Sequence, residues 1–445
     1  MSRFDTVQHP SFCSPEGQHF VTDIIQPALH YEPHNYQLDG ICKSLDGIDL
    51  LAILATGSGK TAYFTMDMLV LQALSKKPRT AQWGGAVPYN PAMIVVYPTV
   101  GLETKMARTF ETAGLPSVII NHDTAGAAHL EGRNLWEGVV TKSAMILLSP
   151  EMLSSDSFES LLQKRKFSSR LCALGVDEVH LCNSWGESFC PCFRQIGLAQ
   201  RCMPTSTDLI LVTATLAAGL LTMNIINSFG LCPREYHLIR RSNLRPDVRV
   251  IIRTLTCGPA GPAYPDFRWV LSSTRKMIIF CPTIVHGQHL TFDLRTHVPS
   301  SVDPFGLIRT YNALKWSDFN EVTLELFRKH DTDTMIIVAT DTLMVGVDLP
   351  NVEDVILATT PDMVDEMVQK IGRAGRDPGR IKDARGIAQK QASGEVKESP
   401  NIAGSHGPLE EVMALMIAAD CKMAAQNSIY GNPETDSPCP CPSCH

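Results

Sequence analysis

Short runs of consecutive apolar residues recur along the chain, each closing on a small or polar residue. They are Leu50–Leu54, Met93–Tyr97, Met145–Leu148, Cys172–Val176, Leu209–Val212, Met277–Phe280, Met335–Val338 and Val355–Leu357. None alternates with period two, so each predicts a strand buried on both faces, as in a parallel sheet covered by helices. The segments between them, such as Thr61–Lys76 and Asp318–His330, read as amphipathic helices. This strand–helix alternation predicts an α/β fold. The pattern breaks over 235–268, where Arg240, Arg241, Arg245, Pro246 and Arg249 fall in a stretch that reads as irregular, and it resumes near Lys276. One domain is therefore expected over 1–235 and a second over 236–385. Residues 386–445 form a third segment, opened by a Gly-, Ser-, Lys- and Glu-rich stretch (378–408) expected to be a solvated loop.

The uncharged run 209–233 is long enough to span a bilayer. Thr213, Thr215, Thr222, Asn224, Asn227 and Ser228 interrupt it, and Gly219 and Gly230 break it further. A buried strand followed by a helix is the expectation, in a soluble, intracellular protein without a membrane partner. Apolar residues make up 44% of the 445 and charged residues 19%, which permits a sizeable core and excludes a wholly disordered chain. The net charge of −7 gives no global basic footprint for nucleic acid, although a groove needs only local positive charge. Residues Met1–Asp5 lack the apolar stretch of a secretory signal. Most of the 14 cysteines are then expected to be buried, reduced thiols.

The strongest local chemistry follows the first predicted strand. Leu50–Leu54 runs into Ala55, Thr56, Gly57, Ser58, Gly59, Lys60 and Thr61, and then into a helix. Glycines let backbone N–H groups turn toward a phosphate, and the helix N-terminus adds the positive end of a dipole. Lys60 would reach the β- and γ-phosphates of ATP and Thr61 would ligate Mg²⁺. The general pattern has a further glycine where Leu54 stands. A hydrolysing NTPase also needs a carboxylate for the metal and one for the attacking water. Strand Cys172–Val176 ends in Asp177 and Glu178, at the strand edge where α/β sites lie. Asp177 would hold Mg²⁺, directly or through water, and Glu178 would polarise the water.

Lys60 with Asp177–His180 resembles the superfamily 2 helicases, and the residues that follow resemble the RecQ-family DNA helicases. Segment 177–193 looks like that family's aromatic-rich loop, with Trp185, Gly186, Phe189, Pro191 and Phe193 as matching members. A base stacked on Trp185 or Phe189 would gain on the order of 1–3 kcal/mol without sequence preference. Phe193 is expected in the core. Glu187 stands where the family usually has His and Cys190 where it usually has Arg, which bears on the coupling of DNA binding to hydrolysis.

The other motifs follow in the family's order. By resemblance, Gln37 would read the adenine edge. Thr99 (Tyr97–Thr99) and Ser149 (Ser149–Glu151) would contact the DNA backbone. Val212–Thr215 would link the nucleotide to the DNA side, and Ile279–Pro282, with Cys281 as a DNA contact, would open the second domain. Tyr311–Ala313 resembles the family's Tyr-His-Ala, with Asn312 for His. Ala339–Asp348 looks like the motif carrying a DNA contact at Thr340 and nucleotide contacts at Gly346 and Asp348. Gln369–Asp377 matches the arginine motif: Arg373 and Arg376, three apart on a helix, share a face. Arg376 would be the finger that stabilises charge building on the γ-phosphate, with Arg373 and Gln369 beside it. The resemblance implies two tandem RecA-like motor domains and an ATP-dependent helicase moving 3′ to 5′ along single-stranded DNA. It also implies a nuclear setting if the source is eukaryotic and a cytoplasmic one otherwise.

Cys439, Cys441 and Cys444 crowd the last residues, and Cys421 opens a predicted helix upstream. This is similar to the RecQ zinc-binding subdomain, in which four thiolates hold a structural Zn²⁺. The first gap is one residue shorter than the family's, so His445 substituting for one thiolate, or a disordered Cys-Pro tail, are the alternatives. No segment for a winged helix follows, so translocation with poor unwinding is expected alongside the helicase reading. Two other readings remain at this point. One is an ATP-binding DNA-binding remnant without turnover. The other is an RNA-directed motor, which the aromatic-rich loop and the cysteine tail disfavour.

Overall fold

The structure is a computed structural model that describes residues 10–29, 31–77, 87–183, 192–232, 235–257, 261, 263–329, 334–344, 347, 349–361, 363–377, 381, 383–391, 409–433 and 435–436. The chain divides into two compact units, Met1–Arg241 and Ser242–His445.

In the first unit seven strands are β1 (Asp49–Ile53), β2 (Ala92–Val96), β3 (Ser117–Ile120), β4 (Met145–Leu148), β5 (Leu171–Val176), β6 (Asp208–Thr213) and β7 (Tyr236–Arg240). They form one parallel sheet in the order β3-β4-β2-β5-β6-β1-β7. Side chains of successive strand residues point to opposite faces. Accordingly Leu50 and Ala52 enter one core with Tyr63, Phe64 and Met93, while Leu51 and Ile53 enter another with Ile94, Phe158 and Phe193. Two buried faces explain the unbroken apolar runs. The uncharged run 209–233 divides as expected into β6 and the helix Leu220–Phe229. No helix among the described residues is long and apolar enough to cross a membrane.

The second unit carries β8 (Val248–Leu255), β9 (Met277–Phe280), β10 (Ile308–Tyr311), β11 (Ile336–Ala339), β12 (Asp354–Leu357) and β13 (Ala384–Gln391), parallel in the order β10-β11-β9-β12-β13-β8. Three stretches differ from the sequence expectation, the first being 308–311, which no apolar run marked and which forms β10. Residues 248–255, read as irregular, form β8, because only some of its side chains are buried and its arginines stay outside the core. Residues 384–391, read as part of a loop, form β13, held between β8 and β12. Its glycine is required: a Cβ at Gly386 would lie 2.4 Å from Ile371 Cγ2, so the helix Val364–Ile371 packs directly on the strand backbone.

Asp354 and Glu103 are among the fully buried carboxylates. Asp354 on β12 is fully buried and accepts from Arg275 Nε at 2.9 Å and Arg385 Nε at 2.9 Å, tying β12 to β13. Removing one partner of a buried pair leaves the others desolvated and uncompensated. Asp354→Ala is therefore expected to destabilise the protein by about 3–5 kcal/mol, read as a lower urea midpoint; a loss under about 1 kcal/mol would contradict the assignment.

Glu103, on the helix Val100–Thr112, is fully buried with one oxygen accepting from Asn121 Nδ2 at 2.5 Å and the other unpartnered among the described residues. Burial pushes its carboxyl up to about 7, with Glu151 and Asp123 adding to the rise and Asn121 opposing it. The folded chain thus holds a proton there that the unfolded chain releases at lower pH, so stability falls as pH rises from about 4.5 to about 7. Glu103→Gln should remove that component and stabilise the protein at pH 8 by about 2 kcal/mol. Equal pH profiles for variant and parent in thermal melts would overturn this.

Candidate active site

Three strand ends converge in the first unit. The order β5-β6-β1 places the loop after β1 and the end of β5 on either side of β6, whose last residue is Thr213. The loop after β1 turns through two left-handed glycines, Gly57 at φ 88° and Gly59 at φ 77°, conformations that L side chains resist. Ser58 Oγ donates to the Ala55 carbonyl at 2.7 Å, and the helix Ala62–Ser75 begins directly after Thr61. Lys60 is only 9% exposed. Nothing lies within 4 Å of where a Gly57 Cβ would be, so the loop is open on that side.

Gln37, expected at the adenine edge, is fully buried and engaged with this loop. Its Nε2 donates to the Gly59 carbonyl at 3.2 Å and Oε1 accepts from His34 N at 2.9 Å. A Cβ at Gly59 would come within 2.9 Å of Gln37 Nε2. The carboxamide therefore braces the phosphate loop from beneath, rather than facing outward. The neighbouring Tyr36 ring stacks on His34, with Arg241 over it at 5.1 Å.

Asp177 directly follows β5 and is buried. Burial, reinforced by the charge of Glu178, pushes its carboxyl well above the usual range, while the Lys60 charge and the Glu178 N–H at 2.9 Å pull it down. A carboxylate desolvated to this degree, within reach of the Lys60 charge and near an open glycine loop, fits a divalent cation carried in with a nucleotide phosphate, which Thr61 at the start of the following helix would help to hold. Glu178 adopts φ 50°, a left-handed conformation in which a non-glycine residue is strained. Its Oε2 accepts no hydrogen bond among the described residues and lies 3.5 Å from His180 Nδ1. His180 is itself buried, with Nδ1 2.7 Å from Thr213 Oγ1, and Thr213 Oγ1 accepts from Thr215 N at 3.3 Å. The carboxylates are thus wired to the end of β6. The sequence reading named both motifs but not this contact, which only the strand order brings about.

The expected DNA contacts vary. Thr99 caps the helix Val100–Thr112, its hydroxyl accepting from Leu102 N at 3.4 Å. Ser149 is buried, and its hydroxyl has no partner among the described residues. Thr340 Oγ1 sits 3.3 Å from Thr342 Oγ1 beyond β11. Cys281 corrects the expectation: its side chain is fully buried in the second unit's core and its thiol is pushed up to about 12 by burial, so no nucleic acid touches that side chain. Trp185, Phe189, Gly346, Asp348, Cys439, Cys441 and Cys444 lie outside the described residues. Cys421 Sγ accepts from Ala424 N at 3.3 Å, at the start of the helix Lys422–Tyr430. Among the described residues no group of three or more His, Cys, Asp or Glu could hold a metal.

In the second unit the helix Val364–Ile371 carries Gln369, and Arg373 and Arg376 follow it. Arg373 donates through Nη1 and Nη2 to the carbonyls of Val347 and Met344. Arg376 Nε is 3.4 Å from the Gly372 carbonyl. Lys370, to which the sequence reading gave no role, is buried between Asp341 at 2.7 Å and Glu366. Burial works against its charge, and the two carboxylates outweigh it and raise its pKa. The Glu366–Lys370 spacing of four is a readable signal for half of that cluster. Asn312, where the resemblance has His, is buried and turns its loop by accepting from Leu314 N at 3.1 Å.

Residues 34–222 match the DEAD/DEAH box helicase family and residues 267–378 the helicase conserved C-terminal domain. A putative ATP-dependent RNA helicase, R290, of Acanthamoeba polyphaga mimivirus is 25% identical over 78% of this chain and 56% of its own length. The ATP-dependent DNA helicase RecQ of Haemophilus influenzae is 23% identical over 77% of this chain and 49% of its own. The mouse ATP-dependent DNA helicase Q1 is 24% identical over 81% and 51%. The chain spans about half the length of these curated relatives. Among solved structures, Saccharomyces cerevisiae Dbp5 bound to RNA and ADP BeF3 aligns with a TM-score of 0.60 and 16% identity, over 95% of this chain and 92% of that one. The DUF1998 helicase MrfA bound to DNA and AMPPNP aligns with a TM-score of 0.61 and 16% identity, over 86% and 51%. Both show the fold, two RecA-like parallel-sheet domains in tandem. The two family matches together take in about two thirds of the chain, which carries a DEAD/DEAH box helicase domain followed by a helicase conserved C-terminal domain.

Proposed function

We propose that the chain is an ATP-dependent DNA helicase of the RecQ type, coupling ATP hydrolysis to movement along single-stranded DNA in the 3′ to 5′ direction. The observation that carries the reading is the convergence of Lys60, Asp177 and Glu178 at the ends of β1 and β5, on either side of β6 and beside an open glycine loop. Lys60 holds the β- and γ-phosphates, while Thr61 and Asp177 hold Mg²⁺. When bound, Mg²⁺ neutralises charge on the phosphates. Glu178, strained and with one oxygen free of hydrogen bonds among the described residues, orients the attacking water and accepts its proton. His180 and Thr213 hold that carboxylate in place. Arg376 stabilises charge on the γ-phosphate, with Gln369 and Arg373 beside it.

The relatives named RecQ and Q1 support DNA as the track, and Thr99, Ser149 and Thr340 are the contacts assigned to its backbone. Trp185 and Phe189 supply base stacking, and Gly346 and Asp348 complete the nucleotide contacts. Zinc held by Cys421, Cys439, Cys441 and Cys444 and a nuclear setting complete the reading. A second reading, an RNA-directed motor of the same superfamily, is favoured by the mimivirus relative's name.

Steady-state ATP hydrolysis with single-stranded DNA, with single-stranded RNA and with neither separates them. DNA should stimulate turnover at least about tenfold more than RNA does, and Lys60→Ala should lower it by a factor on the order of 10³. Stimulation by RNA alone would transfer the reading to the RNA motor. Turnover unaffected by Lys60→Ala would overturn the site itself.

A further inference from the structure

The turn that carries Arg376 is held by a residue outside both helicase matches. The helix Val364–Ile371 ends in a turn, Gly372–Gly375, whose backbone carbonyls have no further helical partners. Arg245, only 19% exposed, fills that place. Its Nη1 donates to the Gly372 carbonyl at 3.2 Å, and its Nη2 to those of Ala374 at 3.0 Å and Gly375 at 2.8 Å. Asp247 grips the guanidinium from the other side, at 2.8 Å from Nε and 2.6 Å from Nη2. A planar fork of five N–H donors can serve a carboxylate and three carbonyls together; an ammonium cannot reproduce that geometry.

Gly375 shows how closely the clamp fits. It adopts φ 65°, and a Cβ there would lie 2.8 Å from Ala384 Cβ and 3.3 Å from Arg245 Nη2. Its N–H donates to the Val352 carbonyl at 2.9 Å, fixing the turn from a second direction. Arg376 Nε approaches the same Gly372 carbonyl that Arg245 holds. Asn243, two residues before Arg245, is itself anchored, its side-chain oxygen accepting from Gln426 Nε2 at 3.1 Å and Asn432 Nδ2 at 3.0 Å. Residues 242–247 fall between the matched stretches 34–222 and 267–378, so neither match assigns them a role.

We propose that Arg245 is a positioning residue for hydrolysis: by binding three carbonyls of the turn Gly372–Gly375 it fixes where Arg376 stands. The proposal rests on the reading of Arg376 as the residue that stabilises charge on the γ-phosphate. Misplacing such a group by about 1 Å costs on the order of a hundredfold in turnover while leaving ground-state binding nearly intact.

The test compares Arg245→Ala, Arg245→Lys, Asp247→Asn, Arg376→Ala and the double variant Arg245→Ala/Arg376→Ala in the full chain. Readouts are kcat and KM for ATP with saturating single-stranded DNA, with circular dichroism as a check of folding. Arg245→Ala should lower kcat by about ten- to a hundredfold, with KM for ATP changed less than about threefold. Arg245→Lys should recover little of it, Asp247→Asn should lower kcat by a smaller factor, and the double variant should be no slower than Arg376→Ala alone. Wild-type kcat in Arg245→Ala overturns the proposal, as does full rescue by lysine or a double variant whose losses multiply. If Arg245→Ala does not fold, Asp247→Asn decides, and wild-type kcat there overturns it. Wild-type kcat in Arg376→Ala would instead remove the finger reading and this proposal with it. Loss in Arg376→Ala with none in Arg245→Ala removes the clamp alone.

Discussion

Two adjacent carboxylates placed at a buried strand end, facing one lysine, make an arrangement that is electrostatically incomplete by itself. One ammonium does not offset the desolvation of Asp177 together with the charge of Glu178 beside it, and the Asp177 carboxyl is pushed up accordingly. Glu178 adds backbone strain and an oxygen without a hydrogen bond among the described residues. Such features persist only where the surroundings fix them. Here β5 and β6 do so, with His180 and Thr213 bridging the two strand ends. On the proposed function, a divalent cation arriving with a polyphosphate would supply the missing positive charge, and the glycine loop and Lys60 would receive the phosphate's negative charge. Local instability of the unliganded site would thereby be turned into affinity for Mg²⁺ and nucleotide.

The second unit solves a different problem, holding irregular backbone in place. Its strand-end turns contain carbonyls that neither sheet nor helix satisfies, and arginines supply donors for them. Arg373 binds the segment at Met344 and Val347, and Arg245 binds the turn at Gly372–Gly375. Lys370 joins the two through Asp341 and Glu366. Arginine suits this work because its charge is permanent and its donors are fixed in a plane. The residues that match the arginine motif are therefore partly scaffolding: Arg373 donates to the carbonyls of Met344 and Val347, and Arg376 Nε approaches that of Gly372.

The central strands were legible because burial on both faces leaves an unbroken apolar run, and the phosphate loop because its chemistry is local in sequence. The missed strands had weaker signals. β8 carries arginines among its apolar residues, β13 carries polar residues and a glycine, and β10 mixes Arg and Thr with its apolar positions. Their pairing partners lie far along the chain, beyond the reach of local pattern. Within the site, residue types at fixed spacing identified Lys60, Asp177 and Glu178. The strand order alone brings His180 to Thr213, and packing alone turns Gln37 beneath the loop and Cys281 into the core.

The most direct test of the electrostatic account is the melting temperature of the first unit's transition in the full chain, with and without Mg²⁺ and a non-hydrolysable ATP analogue. Binding at a hundred times Kd stabilises a folded state by about 2.7 kcal/mol, a rise of several degrees. The account predicts that rise for the wild type and its loss in Lys60→Ala. It also predicts that Asp177→Asn melts higher than the wild type without ligand, because the uncompensated charge is gone, and gains little when Mg²⁺ and the analogue are added. No ligand-induced rise in the folded wild type, or an unliganded Asp177→Asn that melts lower, would contradict it.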